Sequence, residues 1–151
     1  MIQNDSQIID VEFGTGVKII KPSNIYGCKL SDDVFVGPFV EIQKDVSIGA
    51  RTKVQSHSFI CSLVSIGEDC FIGHGVMFIN DTFSSGGPSG GDQSKWKRTV
   101  VGNNVSIGSN CTIMPVNICE GAIIGCGSVI TKDIITPGKY AGNPARKLNK
   151  N

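Results

Sequence analysis

Charge is scarce in this sequence. Only 18% of its 151 residues are Asp, Glu, Lys or Arg, and the formal net charge is +1. No block of like charge occurs, which argues against a nucleic-acid partner or a charged membrane surface. No apolar run approaches the roughly 18 residues of a membrane span. The N-terminal stretch MIQNDSQIID has no basic-then-apolar signal pattern, so a cytoplasmic protein is expected. Six cysteines are present, Cys28, Cys61, Cys70, Cys111, Cys119 and Cys126, yet none forms a CxxC pair. Zinc-ribbon and dithiol redox motifs therefore fail, and no metal site is expected. Cys28, Cys70 and Cys111 fall where the pattern described next wants a small residue, which suits buried thiols in a reducing compartment.

Glycine, by contrast, is abundant, with 19 residues, and 40% of the chain is hydrophobic. The helical spacing of three and four is missing. Instead an aliphatic or aromatic residue recurs every sixth position, often followed by Gly, with Val, Thr, Ser, Ala or Cys fifth: IQKDVS, IGARTK, VQSHSF, ICSLVS, IGEDCF, IGHGVM. Six residues fit one short strand and one corner, and three units make a triangular coil of about eighteen residues. One coil cannot bury its apolar face alone, but a stack of coils can. The expected fold is all-β: a parallel β-helix of one domain, residues 1–151. Gly49, Gly67, Gly73, Gly108 and Gly125 suit its tight corners. Two intervals, Ile25 to Leu30 and Ile113 to Ile118, are one residue short and imply tightened corners. Removing about seventeen residues, roughly 84–100, restores the register after FINDTF, so that Gly/Ser-rich and then basic segment reads as a loop excursion. From Pro137 the tail, 137–151, is expected to leave the repeat and run extended along the coils.

These units resemble the hexapeptide repeat of left-handed β-helix acyltransferases. GHGVMFINDTF, the loop ending in KWKRTVVG, IGSNCTI, GSVITKDI and AGNPARKL are similar to the short sugar-nucleotide N-acetyltransferases. Left-handedness comes from that resemblance, since parallel crossovers are right-handed in about 98% of cases. The resemblance implies transfer of acetyl from acetyl-CoA to the 3-amino group of a dTDP- or UDP-linked amino-deoxy sugar, in bacterial surface polysaccharide or O-antigen biosynthesis. It also implies a homotrimer with acetyl-CoA between neighbouring prisms. The runner-up is an O-acetyltransferase of the same fold, acting on a sugar or serine hydroxyl.

The chemistry asks for a base, a contact for the amine and cations for phosphates. The chain has two histidines, His57 and His74. A step of about eighteen residues sets His57 beneath Gly75, beside His74, with both pointing outward and Gly75 leaving space for a substrate. His57 is the preferred base and His74 the second candidate. Asn80 and Asp81, just before the excursion, are candidates for the acceptor amine, though both types also serve turns. The resemblance carries the sugar-facing role to Asn80 and nominates it with the catalytic residues. Trp96, Lys97 and Arg98 offer a stacking face and cations for a nucleotide sugar. Gly108, Gly125, Lys132, Asn143 and Arg146 are the acetyl-CoA candidates that the resemblance nominates. A zinc enzyme of this fold would need three imidazoles per metal, and an ice-binding prism a flat ladder of Thr, which this chain lacks.

Overall fold

The computed structural model describes residues 8–149. The first seven residues, part of the N-terminal stretch read above, and the last two of the tail lie outside the described residues. Among the described residues, short strands stack into three sheets of seven, six and eight strands. The chain visits them in rotation. Face one holds Glu41–Ile42, Phe59–Ile60, Met77–Phe78 and their counterparts. Face two holds Ser47–Ile48, Val64–Ile66 and Thr99–Val101, and face three Lys53–Val54, Phe71–Ile72 and Ser106–Ile107. The pairing between successive coils is parallel, with Ile60 over Ile42, Ile66 over Ile48 and Ile72 over Val54.

That register is why a six-residue period suffices. The large residue of each unit points to the axis, where Ile25, Ile42, Ile60, Phe78, Ile113 and Ile130 are buried in one column. The small fifth residue fills the corner beside it, as Val46, Cys70, Val76 and Ala122 do. Where that residue bears a hydroxyl, the backbone satisfies it. Thr52 Oγ1 donates to Gly67 O at 2.8 Å and accepts from Cys70 N at 2.9 Å, and Ser58 Oγ donates to Gly73 O at 2.8 Å. Burial pushes the thiols of Cys28 and Cys61 up to about 11 and about 12, so both stay protonated as small hydrophobes.

The corner glycines serve a different purpose from dihedral freedom. The left-handed corner positions belong mostly to other residues, among them Asp33, Asp45, Arg51, His57, Asp69 and Asn110. Gly49, Gly67, Gly73 and Gly108 lie instead where the next coil presses on the backbone. A Cβ on Gly49 would fall 2.5 Å from the carbonyl carbon of Gly67 and 2.6 Å from the Glu68 nitrogen. Backbone cannot step aside without lifting a whole coil. Gly49→Ala is therefore expected to cost about 1–3 kcal/mol or more. Gly87→Ala, with nothing within 4 Å of the added carbon, should stay within about 0.5 kcal/mol of the parent. Thermal melts of the two variants check this.

Two boundaries differ from the sequence expectation. The strand Thr99–Val101 pairs with Val64–Ile66, so the excursion occupies 79–98, not 84–100. The tail does not simply leave the repeat. Lys139–Gly142 adds to face three in parallel with Ile123–Ile124, and Ala145–Lys147 folds back antiparallel on it. The final coil would otherwise present an open row of peptide groups, and the tail pairs them: Gly125 N donates to Tyr140 O at 2.8 Å.

Candidate functional site

Both histidines lie at the corner that joins face three to face one, and both are exposed. His57 has a φ of 64° and Gly75, one coil above, a φ of 65°. Their neighbours link the coils: His57 N donates to Pro38 O at 3.2 Å and Gly75 N to Ser56 O at 3.0 Å. Asn110 N then donates to His74 O at 2.8 Å. The eighteen-residue arithmetic thus brings His57, His74, Gly108 and Gly125 to one corner. The space above His57 is not empty, however. The Asn110 amide hangs over Gly75, its Oδ1 2.6 Å from where a Cβ on that glycine would stand. Beneath, the imidazole stacks on Phe39, with ring centroids 4.9 Å apart and planes 16° from parallel. Phe39 and Asn110 escaped the sequence reading, although the step that placed His57 places both.

The same corner carries a row of peptide donors. Among the described residues, the N–H groups of His74, Ser109 and Cys126 have no protein acceptor. At the corner joining faces two and three, two such donors are capped, Thr15 N by Asp32 Oδ1 at 2.7 Å and Glu68 N by Asn103 Oδ1 at 2.9 Å, while those of Asp32, Ala50, Asn103 and Glu120 are open as well. A bare row of N–H groups beside an imidazole can hold carbonyl oxygens and a developing oxyanion.

Asn80 and Asp81 stand at the far edge of face one, where the chain departs for the excursion. Outward-pointing Phe59 and Met77 lie between them and the histidine corner. Asn80 Nδ2 donates to Ser62 O at 3.1 Å, which leaves Oδ1 as an acceptor. The Asp81 carboxylate accepts from Ser89 N at 2.7 Å and Phe83 N at 3.0 Å, and these bonds lower its pKa below the ordinary carboxylate value. Its observed work is thus to root the loop, the turn chemistry open to it from sequence. Half-buried Trp96 anchors the loop internally, its indole N–H donating to Ser89 Oγ at 2.9 Å, while Lys97 and Arg98 are exposed. The loop tip reaches the coils below, where Lys44 Nζ donates to Gln93 Oε1 at 3.0 Å.

Lys132 and Arg146 come together at the C-terminal end of the prism. They line a cavity of about 270 Å³ with Asp133, Tyr140 and Lys147, whereas exposed Asn143 sits outside it in the turn between the last two strands. Among the described residues, no group of three or more His, Cys, Asp or Glu could hold a metal ion, and no helix is long and apolar enough to cross a membrane.

Comparisons with known proteins agree with this architecture. Residues 27–62 match the bacterial transferase hexapeptide family (six repeats), and residues 63–77 and 98–132 match the hexapeptide repeat of succinyl-transferase. The bifunctional protein GlmU of Thermotoga petrophila is 35% identical over 148 residues, covering 85% of this chain and 30% of that protein. GlmU of Streptococcus uberis is 33% identical, covering 99% of this chain and 34% of that protein. The chain thus spans about a third of the length of these curated relatives. Among solved structures, a hexapeptide-repeat acetyltransferase from Vibrio cholerae in complex with acetyl-CoA superposes with a TM-score of 0.68 at 24% identity, over 82% of this chain and 70% of that one. The polySia-specific acetyltransferase NeuO gives 0.64 at 25% identity, over 94% and 86%. A variant of perosamine N-acetyltransferase from Caulobacter crescentus, solved with CoA and GDP-perosamine, gives 0.64 at 19% identity, over 96% and 58%. The repeat matches indicate a left-handed coil, and with them the chain belongs to the hexapeptide-repeat transferase family.

Proposed function

We propose that this chain is an acetyl-CoA-dependent N-acetyltransferase acting on the 3-amino group of a dTDP- or UDP-linked amino-deoxy sugar, in the cytoplasm, for surface glycan synthesis. The observation that carries the reading is one exposed face edged by His57, His74 and open N–H groups on one side and by Asn80 with its loop on the other. A neutral amine attacks the thioester carbonyl, a C–N bond forms and the C–S bond breaks. The amine proton passes to His57, and the leaving thiolate, with a pKa near that of cysteine at about 8.5, is a fair leaving group. Holding the two partners together contributes about 7–11 kcal/mol of barrier lowering, so positioning is the larger part of the task. Asn80 Oδ1 accepts from the acceptor amine. Trp96, Lys97 and Arg98 close on the nucleotide side, and Lys132 and Arg146, with Gly108, Gly125 and Asn143 nearby, take the CoA phosphates.

A flat prism face has no second wall. Phe39, Phe71 and Met77 are exposed around the histidine corner, which suits burial against a neighbouring prism in a homotrimer. A second reading keeps the same fold and the same exposed face, and transfers the acetyl group to a hydroxyl of a sugar or of serine, which needs the base more than an amine does. One experiment separates them. Free-thiol release from acetyl-CoA is measured with a panel of dTDP- and UDP-linked 3-amino sugars, their 3-hydroxy counterparts and serine, while light scattering reports the mass in solution. Turnover confined to the amines of a trimer is expected; turnover confined to hydroxyls would replace the first reading with the second.

A further inference from the structure

Asn80 can meet an amine reliably only if its side-chain amide is held one way round. Its Nδ2 gives a hydrogen to the carbonyl oxygen of Ser62, one coil below, at 3.1 Å. Ser62 is buried at the matching corner, and its own peptide N–H donates to Gln43 Oε1 at 3.2 Å. Gln43, a coil lower again, donates from Nε2 to Glu41 Oε1 at 3.0 Å. Both ends of the Gln43 amide are thereby assigned. Oε1 must accept because Ser62 offers an N–H, and Nε2 must donate because an ionised Glu41 only accepts.

We infer that Gln43 is a positioning residue for Asn80. It fixes the Ser62 corner from below, and that corner turns Asn80 so that Nδ2 faces the protein and Oδ1 faces the acceptor. The link runs through the peptide groups of Ser62. Its hydroxyl, 3.5 Å from Gln43 Oε1, is not needed. Gln43 is half-buried on the same face as Phe59 and Met77, so this chain of bonds forms the wall of the proposed site on the side of the loop root. The inference rests on the proposed amine contact at Asn80, and it extends the determinants of that contact two coils toward the N-terminus. It also accounts for an arrangement that stability alone does not require, a glutamine pinned at both ends beneath a single asparagine.

The test uses the full chain and the amino-sugar nucleotide that turns over in the panel above. Gln43→Leu is expected to lower kcat/KM for the acceptor about two- to tenfold, the range of one neutral hydrogen bond. KM for acetyl-CoA should stay unchanged. In Gln43→Glu the carboxylate still accepts from Ser62 N, and when protonated it donates to Glu41. Acceptor kcat/KM should therefore recover toward the parent value as pH falls. Ser62→Ala, which keeps both peptide groups, should match the parent.

A side-chain amide NMR spectrum, with the Asn80 pair assigned by Asn80→Asp, reads the positioning without any turnover. Gln43→Leu should shift or broaden that pair. An unmoved Asn80 pair together with unchanged acceptor kcat/KM would overturn the inference, as would a Ser62→Ala variant that reproduced the Gln43→Leu defect. If Asn80→Ala itself left acceptor kcat/KM untouched, the amine contact would fall, and the spectrum would still decide whether Gln43 orients Asn80.

Discussion

His57→Asn is expected to lower kcat for the amine acceptor by about 10²-fold, the lower end of what a general base contributes, and to leave measurable activity. The reason lies in the acceptor. A neutral amine attacks a thioester without prior deprotonation, so loss of the base removes assistance and not the nucleophile. A neutral alcohol attacks poorly, and for it the same variant should lose activity outright. Asparagine is the informative replacement because residue 57 has a φ of 64°, a region that Asn adopts more readily than other non-glycine residues. Alanine there would mix a backbone cost with the chemical one. KM for acetyl-CoA should stay within about twofold, because the N–H row of His74, Ser109 and Cys126 does not involve residue 57. His74→Ala, which keeps that peptide N–H, should cost less than tenfold. Single-turnover rates with a folded, acetyl-CoA-binding His57→Asn protein check the prediction. Complete inactivity would make the base indispensable, the behaviour that a hydroxyl acceptor requires.

Excising the loop should be more drastic for binding and nearly harmless to the fold. No residue in 79–98 is buried; the segment is closed on itself by Asp81 and the Asn80 O to Lys97 N bond at 2.9 Å, and it holds to the prism through Ile79 N to Ile113 O, Asn80 Nδ2 to Ser62 O and the Lys44 to Gln93 contact. Replacing 84–95 by a Gly-Gly link keeps residues 80 and 97 free to pair. The melting temperature should then move by only a few degrees, as expected of a change outside the core. Acceptor binding, read by calorimetry or by KM, should weaken at least 10²-fold, since Lys95 is removed, Trp96 loses its Ser89 anchor and the cations at 97 and 98 lose their placement. Unchanged kinetics would remove the loop from the site.

The coil was legible in the sequence because burial repeats with the chain. Ile42, Ile60 and Phe78 follow one another at eighteen residues and all face the axis, so one period encodes both strand and corner. Modular counting of that kind also brought His57 and His74 to a shared corner. It could not say which corner glycines are there for want of space, because that depends on the backbone of the coil above and not on a local dihedral. The tail runs extended along the coils, but its pairing was beyond the pattern for a related reason. Its Pro and Gly residues signal departure from the repeat, but the unpaired edge of the last coil draws Lys139–Gly142 back onto face three.

By itself the sequence determined the six-residue unit, the three-sided coil, the outward histidines and the presence of an excursion between FINDTF and the resumed repeat. Each of these follows from spacing along the chain. Only the tertiary structure decided what fills the gaps between coils: Phe39 under His57, Asn110 over Gly75, and the bonds that tie Gln43 to Asn80 through Ser62. Side-chain direction and hydrogen-bond choice depend on neighbours roughly eighteen positions away whose exact offset and rotamer no periodic pattern specifies.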